Sequence, residues 1–373
     1  MDAGRHDRTQ TPVSFPLEAA EGTSWELQPE SGPALPLPLQ REGGVAWFLL
    51  PSQPRETTRK FRLVERPNPP ANPRATARTG PGSTALRLNG QPVLTYISGP
   101  GTLPRPDIRP EFLRGGYLHP VVTPAGVVVT DDYPTNHIHH HGVWWSWTKT
   151  VFEGRTPDFW NMGDRKGRTD FDKLLKTLEG PVFAGFQSEQ IFTDLLAPQP
   201  KLALREQWTV RLLAVGPGDP FHLFDLESEQ RCTTESPLKL PKYIYGGLAY
   251  RGPNAWNGAT QARYLDSNRT TNRVAGNESR VRWHWLGGLV NGRLAGFASL
   301  GHPGNFRAPQ PVRIHPQEPY TCWTPAQLGD WEIRPGETYR SKYRLVALDG
   351  EPDPALLDRL WNDYAEPPRV RLE

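Results

Sequence analysis

Val182–Leu195 (VFAGFQSEQIFTDL) and Leu202–Val215 (LALREQWTVRLLAV) decide the fold class. Along most of both stretches polar and apolar side chains alternate at period 2, the signature of antiparallel strands with one face buried. His222–Thr234, Arg280–Trp285, Gly296–Gly301 and Tyr339–Leu348 continue the pattern downstream. Upstream, Ala85–Ser98 reads as two short strands around the turn residues Asn89-Gly90. Gly116–Thr130 reads as a hairpin turned at Pro124-Ala125-Gly126, and Val45–Leu50 and Lys60–Glu65 as earlier strands.

Only Pro352–Glu366 has a helical pattern. Asp353 is placed to cap it before Pro354, and Leu356, Leu357, Leu360, Trp361 and Tyr364 recur at helical spacing. No repeat of fixed period is present, which argues against a propeller. The expected fold is therefore all-β, with two large antiparallel sheets packed face to face and one C-terminal helix on them. Residues 1–12 read as a frayed polar tail and 13–350 as a single domain. The Pro/Gly-dense stretch 67–83 is expected to be a mobile loop, and 351–373 a helix and tail packed on the sandwich.

Composition narrows the function classes. With 43 basic and 40 acidic residues the net charge is +3, without a Lys/Arg run to track phosphates, so nucleic acid is not an expected partner. Forty-one Pro and 35 Gly imply many turns between short strands, and 13 Trp supply core volume or stacking surface for sugar rings. The two cysteines, Cys232 and Cys322, make neither a disulfide framework nor a thiolate zinc site, which suits a reducing compartment. The N-terminal residues lack the apolar core of a secretory signal, and the longest apolar run, Gly44–Pro51, is too short to span a bilayer. A cytoplasmic protein without a membrane partner is expected.

The chemistry concentrates in Asn136–Trp147, NHIHHHGVWWSW. In an extended segment His137, His139 and His141 share one face and His140 takes the other. At about 3.3 Å per residue only neighbouring members of that row reach one metal ion. The pair would be His137/His139 or His139/His141, with a third ligand from elsewhere. Pro134 and Gly142 place the cluster at a loop–strand junction, where His140 can also turn into a pocket. Trp144, Trp145 and Trp147 would wall that pocket on one face and feed the core on the other. Imidazoles at this spacing suit either a divalent metal such as zinc or direct acid–base work.

Gly301–Arg307, GHPGNFR, forms a second constellation, a turn presenting His302, Asn305 and Arg307 to a hydroxyl or carboxylate. Tyr245–Gly252, YGGLAYRG, is a third, with Arg251 pointing outward beside Tyr250. Each also reads as plain structure: a turn, and a glycine bulge in a strand. Asp158, Glu206, Asp225 and Glu227 are the carboxylates weighed as bases. No motif for acyl transfer, NTP chemistry or a nucleotide cofactor is present.

Taken in order, LTYISG (Leu94–Gly99), GYLHPVVTPAGVVVT, NHIHHHGVW, DFW (Asp158–Trp160), YGGLAYR and GHPGNFRAP resemble the DUF6807 family, often labelled "PmoA family", over roughly residues 85–350. The family usually reads Asp-His-Pro-His-His-x-Gly at the histidine motif. His137, His139 and His140 fall on the motif histidines, while His141 falls on a variable position. Asn136 stands where Asp is usual, Ile138 for Pro, and Gly301 where an Asp is common. The label refers to a membrane-bound methane monooxygenase subunit built on transmembrane helices, which this chain lacks. The resemblance implies instead a soluble β-supersandwich similar to galactose mutarotase-like proteins, often encoded among sugar-degradation enzymes.

The expectation is thus an enzyme acting on a small carbohydrate, a sugar or keto-sugar, by epimerisation, elimination or hydrolysis. Its catalytic residues would be His137, His139, His140 and His302. His119, Trp144, Trp145, Arg251, Asn305 and Arg307 would bind substrate, and His137 and His139 would be the metal ligands if a divalent metal is used. A non-catalytic sugar-binding module and a metal-dependent oxidoreductase are the alternatives.

Overall fold

The computed structural model describes residues 1–18, 22–31, 35–66, 73–99, 101–216 and 218–373. Phe183–Asp194 and Lys201–Leu213 pair antiparallel over nearly their whole length, with Ser188 opposite Trp208. They are the second and third strands of an eight-stranded antiparallel sheet, sheet II. Its order is Gly167–Leu178, Phe183–Asp194, Lys201–Leu213, Phe221–Cys232, Tyr339–Asp349, Arg293–Gly301, Trp283–Val290 and Ala262–Asp266. Sheet I also has eight strands: Val312–Ile314, Tyr320–Trp323, Gly247–Arg251, Val143–Ser146, Tyr117–Val121, Gln91–Ile97, Ser83–Leu88 and Ala75–Gly80. The hairpin expected at Asn89-Gly90 is present, and both residues have positive φ (49° and 80°), which the short turn between right-twisted strands demands.

The sheets face each other across an aromatic core. Tyr250 of sheet I stacks on Phe297 of sheet II at 4.2 Å, Tyr96 on Phe186 at 4.5 Å, and Trp145 meets Tyr343 at 5.8 Å. A β-sandwich is therefore the architecture. The outer face of sheet II is covered by the C-terminal helix Pro354–Ala365, capped by the Asp353 side chain, which accepts from the Ala355 N–H. Leu357 and Leu360 bury against Trp283, Trp285 and Val346 there. Among the described residues no helix is long and apolar enough to cross a membrane.

Three expectations need correction. Residues 1–12 are not a frayed tail: Arg8–Pro16 is a strand paired with Val45–Gln53. Its polar residues are consumed inside, since Arg8 pairs with Asp363 at 2.9 Å and the Thr11 hydroxyl donates to the same carboxylate at 3.0 Å. Composition reads such a segment as solvated because the compensating carboxylate lies on the distant helix. Of the loop expected at 67–83, residues 67–72 lie outside the described residues. Ala75–Gly80 is a strand paired with Ser83–Leu88, its small Ala75 and Ala77 packing inward. The second arm of the hairpin expected at Gly116–Thr130 shrinks to a bridge between Val122 and Val128.

Candidate functional site

The period-2 alternation of sheet I determines what its outer face carries. Trp145 and Trp147 point inward to the core, whereas Trp144 points out, as do Ala249 of Gly247–Arg251 and Tyr320 and Cys322 of Tyr320–Trp323. The register sets Trp144 beside Ala249, Ala249 beside Cys322 and Arg251 beside Tyr320. A buried aromatic floor of Tyr117, Trp144, Trp160 and Tyr320 results.

The histidine segment folds onto this floor. It is not extended: the His137 N–H donates to the Pro134 carbonyl at 3.1 Å and the His140 N–H to the His137 carbonyl at 2.8 Å. These consecutive turns bring His137 and His140, three residues apart, into a stack at 4.7 Å and 18°. The row His137/His139/His141 predicted for a strand is therefore replaced. His140 lies between His137 on one side and Tyr320 on the other, the latter at 4.8 Å. His139 stands edge-on to both, at 5.6 Å from His137 and 4.7 Å from His140. His141 turns away: Asp132 lies 2.6 Å from its Nδ1, and its ring stacks on Tyr117 at 4.2 Å.

A third polar group comes from the connector between two strands at the edge of sheet I, His315-Pro316-Gln317-Glu318-Pro319. His315 Nδ1 accepts from the Glu318 N–H at 2.9 Å, a local turn that aims the Glu318 side chain back over the histidines. Glu318 Oε2 lies 2.9 Å from His137 Nδ1. That nitrogen is buried yet has no aligned hydrogen-bond partner, so the close contact is a convergence of polar atoms rather than a linear hydrogen bond. One ligand atom each from His137, His140 and Glu318 lies within 4.8 Å of the others, a group that can hold a metal ion.

Arg251 organises this group from beneath. Fully buried, it donates through Nη1 to Glu318 Oε2 at 2.9 Å and through Nη2 to the side-chain oxygens of Asn136 (2.8 Å) and Asn257 (3.1 Å). Its Nη1 is also 3.5 Å from His140 Nδ1. The sequence reading had this guanidinium pointing outward to substrate. The strand's alternation and the overlying loop enclose it instead, and its donors face Glu318, Asn136 and Asn257.

Burial holds His139 and His140 toward the neutral form. Burial, followed by His137, His141 and Arg251 nearby, pushes His139 down to about 3. Burial and then His139 and Arg251 drive His140 well below the usual imidazole range. Burial alone would raise the Glu318 carboxyl, but His137 and Arg251 outweigh it and bring it down to about 2. At neutral pH His140 thus offers an imidazole lone pair beside the ionised Glu318 carboxylate, and with His137 the residue types are those of a His/carboxylate metal centre. The three open onto a cavity of about 160 Å³ walled by Trp160, Tyr245, Tyr320 and Arg313.

The other predicted residues lie elsewhere. His119 bonds Thr130 at 3.0 Å and does not line the cavity. Trp144 is fully buried beneath His140, and Trp145 is in the inter-sheet core, so neither presents a face to substrate. His302 lines a different cavity, with Trp361 and Arg282. Asn305 is used at both ends by the Lys342 backbone (2.9 and 2.8 Å), and Arg307 donates to the carbonyls of Pro325, Gly329 and Asp330. Backbone groups thus claim the polar ends of Asn305 and Arg307.

Among the carboxylates, Glu206 is buried in the sandwich with Ser228 and Gln230, and Asp225 forms a two-pronged pair with Arg344. Asp158 shapes the cavity rim by accepting from the Trp160 and Asn161 backbone N–H groups, both at 2.9 Å. Sequence reasoning missed Glu318, His315 and the aromatic walls Trp160, Tyr245 and Tyr320. The visible signal for the first two was a second histidine in a proline-bracketed turn, His315-Pro316-Gln317-Glu318-Pro319.

A family model described as "Family of unknown function (DUF6807)" matches residues 83–362, three quarters of the chain, and the protein belongs to that family. No curated protein matches the chain. The matched span contains both arms of the site, the histidine turn and the Glu318 connector.

Proposed function

Taking membership of the DUF6807 family as the premise, we propose that the protein is a carbohydrate-active enzyme, an epimerase, lyase or hydrolase, whose centre is His137, His140 and Glu318. The observation that carries this reading is the convergence of those three groups within 4.8 Å at the floor of an aromatic-walled cavity. They would hold a divalent cation such as zinc, which supplies Lewis acidity toward a sugar oxygen. Arg251 fixes the Glu318 carboxylate through Oε2 and steadies the turn preceding His137 through Asn136. His139, edge-on to both ligand imidazoles, is the group placed to take or return a proton. Trp160, Tyr245 and Tyr320 supply apolar faces for a sugar ring and exclude water.

Elemental analysis after zinc loading, combined with turnover measured over a panel of sugars and sugar derivatives, tests this. One zinc per chain is expected, lost in the His137→Ala/His140→Ala variant together with turnover while the protein stays folded. Undiminished turnover in that variant would sink the proposal. The 2.9 Å contact of His137 with Glu318 favours a second reading, metal-free acid–base catalysis by the same residues. Turnover that survives exhaustive chelation selects that one.

A further inference from the structure

The charges around this cavity are unequal. Glu318 is the only carboxylate among the described residues lining it, and it is already matched from beneath by Arg251. Arg313 lines the same cavity from the strand Val312–Ile314 and is half-buried. Its Nη1 donates only to neutral acceptors, the Asn277 side-chain oxygen at 3.0 Å and the Ile314 carbonyl at 3.4 Å. Among the described residues no carboxylate pairs with it, and its Nε and Nη2 donors have no protein acceptor.

An arginine partly withdrawn from water without a carboxylate presents an unused fork of donors matched to a planar anion. A cation at His137, His140 and Glu318 would add to the excess positive charge. Resting on the function proposed above, we infer that the substrate is a sugar acid, and that Arg313 receives its carboxylate while the sugar ring lies on the aromatic walls toward His139. Arg313 is a specificity-determining residue: it touches the substrate's acid group and not the reacting atoms.

The test is calorimetric titration of the zinc-loaded full-length chain with glucuronate and galacturonate, against glucose and galactose at the same ionic strength. At least one uronate should bind about tenfold more tightly than its matching hexose. Arg313→Gln should abolish that preference and Arg313→Lys retain part of it, with zinc content and melting temperature unchanged in both. Equal binding of uronate and hexose, or a preference that survives Arg313→Gln, overturns the inference. If zinc binds but neither sugar class does, the carbohydrate reading falls and takes the inference with it. If a uronate preference tracks Arg313 without any bound zinc, the metal reading falls and the inference stands.

Discussion

Pro134–His141 and Gly301–Arg307 are both tight turns carrying histidine beside proline or glycine, and both precede or follow a strand of the sandwich. They dispose of their polar atoms in opposite ways. In the second, Asn305 ties both its amide ends to Lys342 and Arg307 is taken up by three carbonyls. In the first, His137 Nδ1 is buried without an aligned partner and the neighbouring rings converge with Glu318. Buried polar groups are normally satisfied, so the unpartnered His137 Nδ1 sets the first turn apart from the saturated side chains of the second. Residue type alone does not separate the two.

Substitutions can break or sharpen this contrast. The largest effect is expected for Arg251→Met, which strips a buried ion pair of its cation and leaves Glu318, Asn136 and Asn257 without their shared donor. It should cost about 3 kcal/mol in denaturant unfolding and abolish zinc binding. Unchanged stability would refute the hub role. Asn305→Ala should cost about 2 kcal/mol through the two stranded Lys342 backbone groups, and leave zinc binding intact. Loss of zinc there would show that the two turns are not separable.

A smaller signature is expected in pH. Because the folded protein holds His139 down to about 3, while an unfolded imidazole titrates near 6.5, the unfolded chain binds the extra proton between those values. Stability is therefore full above about pH 6.5 and falls as pH drops toward about 3. Glu318, held down to about 2, works in the same direction. Its contribution is present above the unfolded value near 4.3 and is lost as pH falls toward about 2. His139→Gln should flatten the slope of urea-unfolding free energy between pH 7 and 5. An unaltered slope would show that His139 is not the group responsible. The smallest effect is a gain: Asn136→Asp would offset the Arg251 charge beside the ligands and tighten zinc binding by about tenfold in a competition titration. No change, or weaker binding, would mean that Arg251 does not repel the cation.

Much of the frame was legible in the chain because it is written locally. Alternation in Phe183–Asp194 and Lys201–Leu213, the positive-φ pair Asn89-Gly90 and the Asp353 cap each depend on neighbours within a few residues. The crowding of the histidine segment was legible for the same reason. Its internal geometry was not: a strand separates His137 from His140 by face, and the turn through Pro134 and His137 stacks them. Nor could sequence rank Arg307 below Arg313, since the carbonyls that saturate the first come from another loop.

The sequence by itself thus determined the long strands of sheet II, the C-terminal helix, the two-sheet class and the segment where histidines crowd. Only the tertiary structure decided which polar groups converge with that segment. His140 and Glu318 are 178 residues apart, and they meet because pairing of Val143–Ser146 with Gly247–Arg251, and of that strand with Tyr320–Trp323, sets Arg251 beside Tyr320. Local preferences fix which face a side chain takes; the free energy of burying one whole sheet against another fixes which distant side chains share that face.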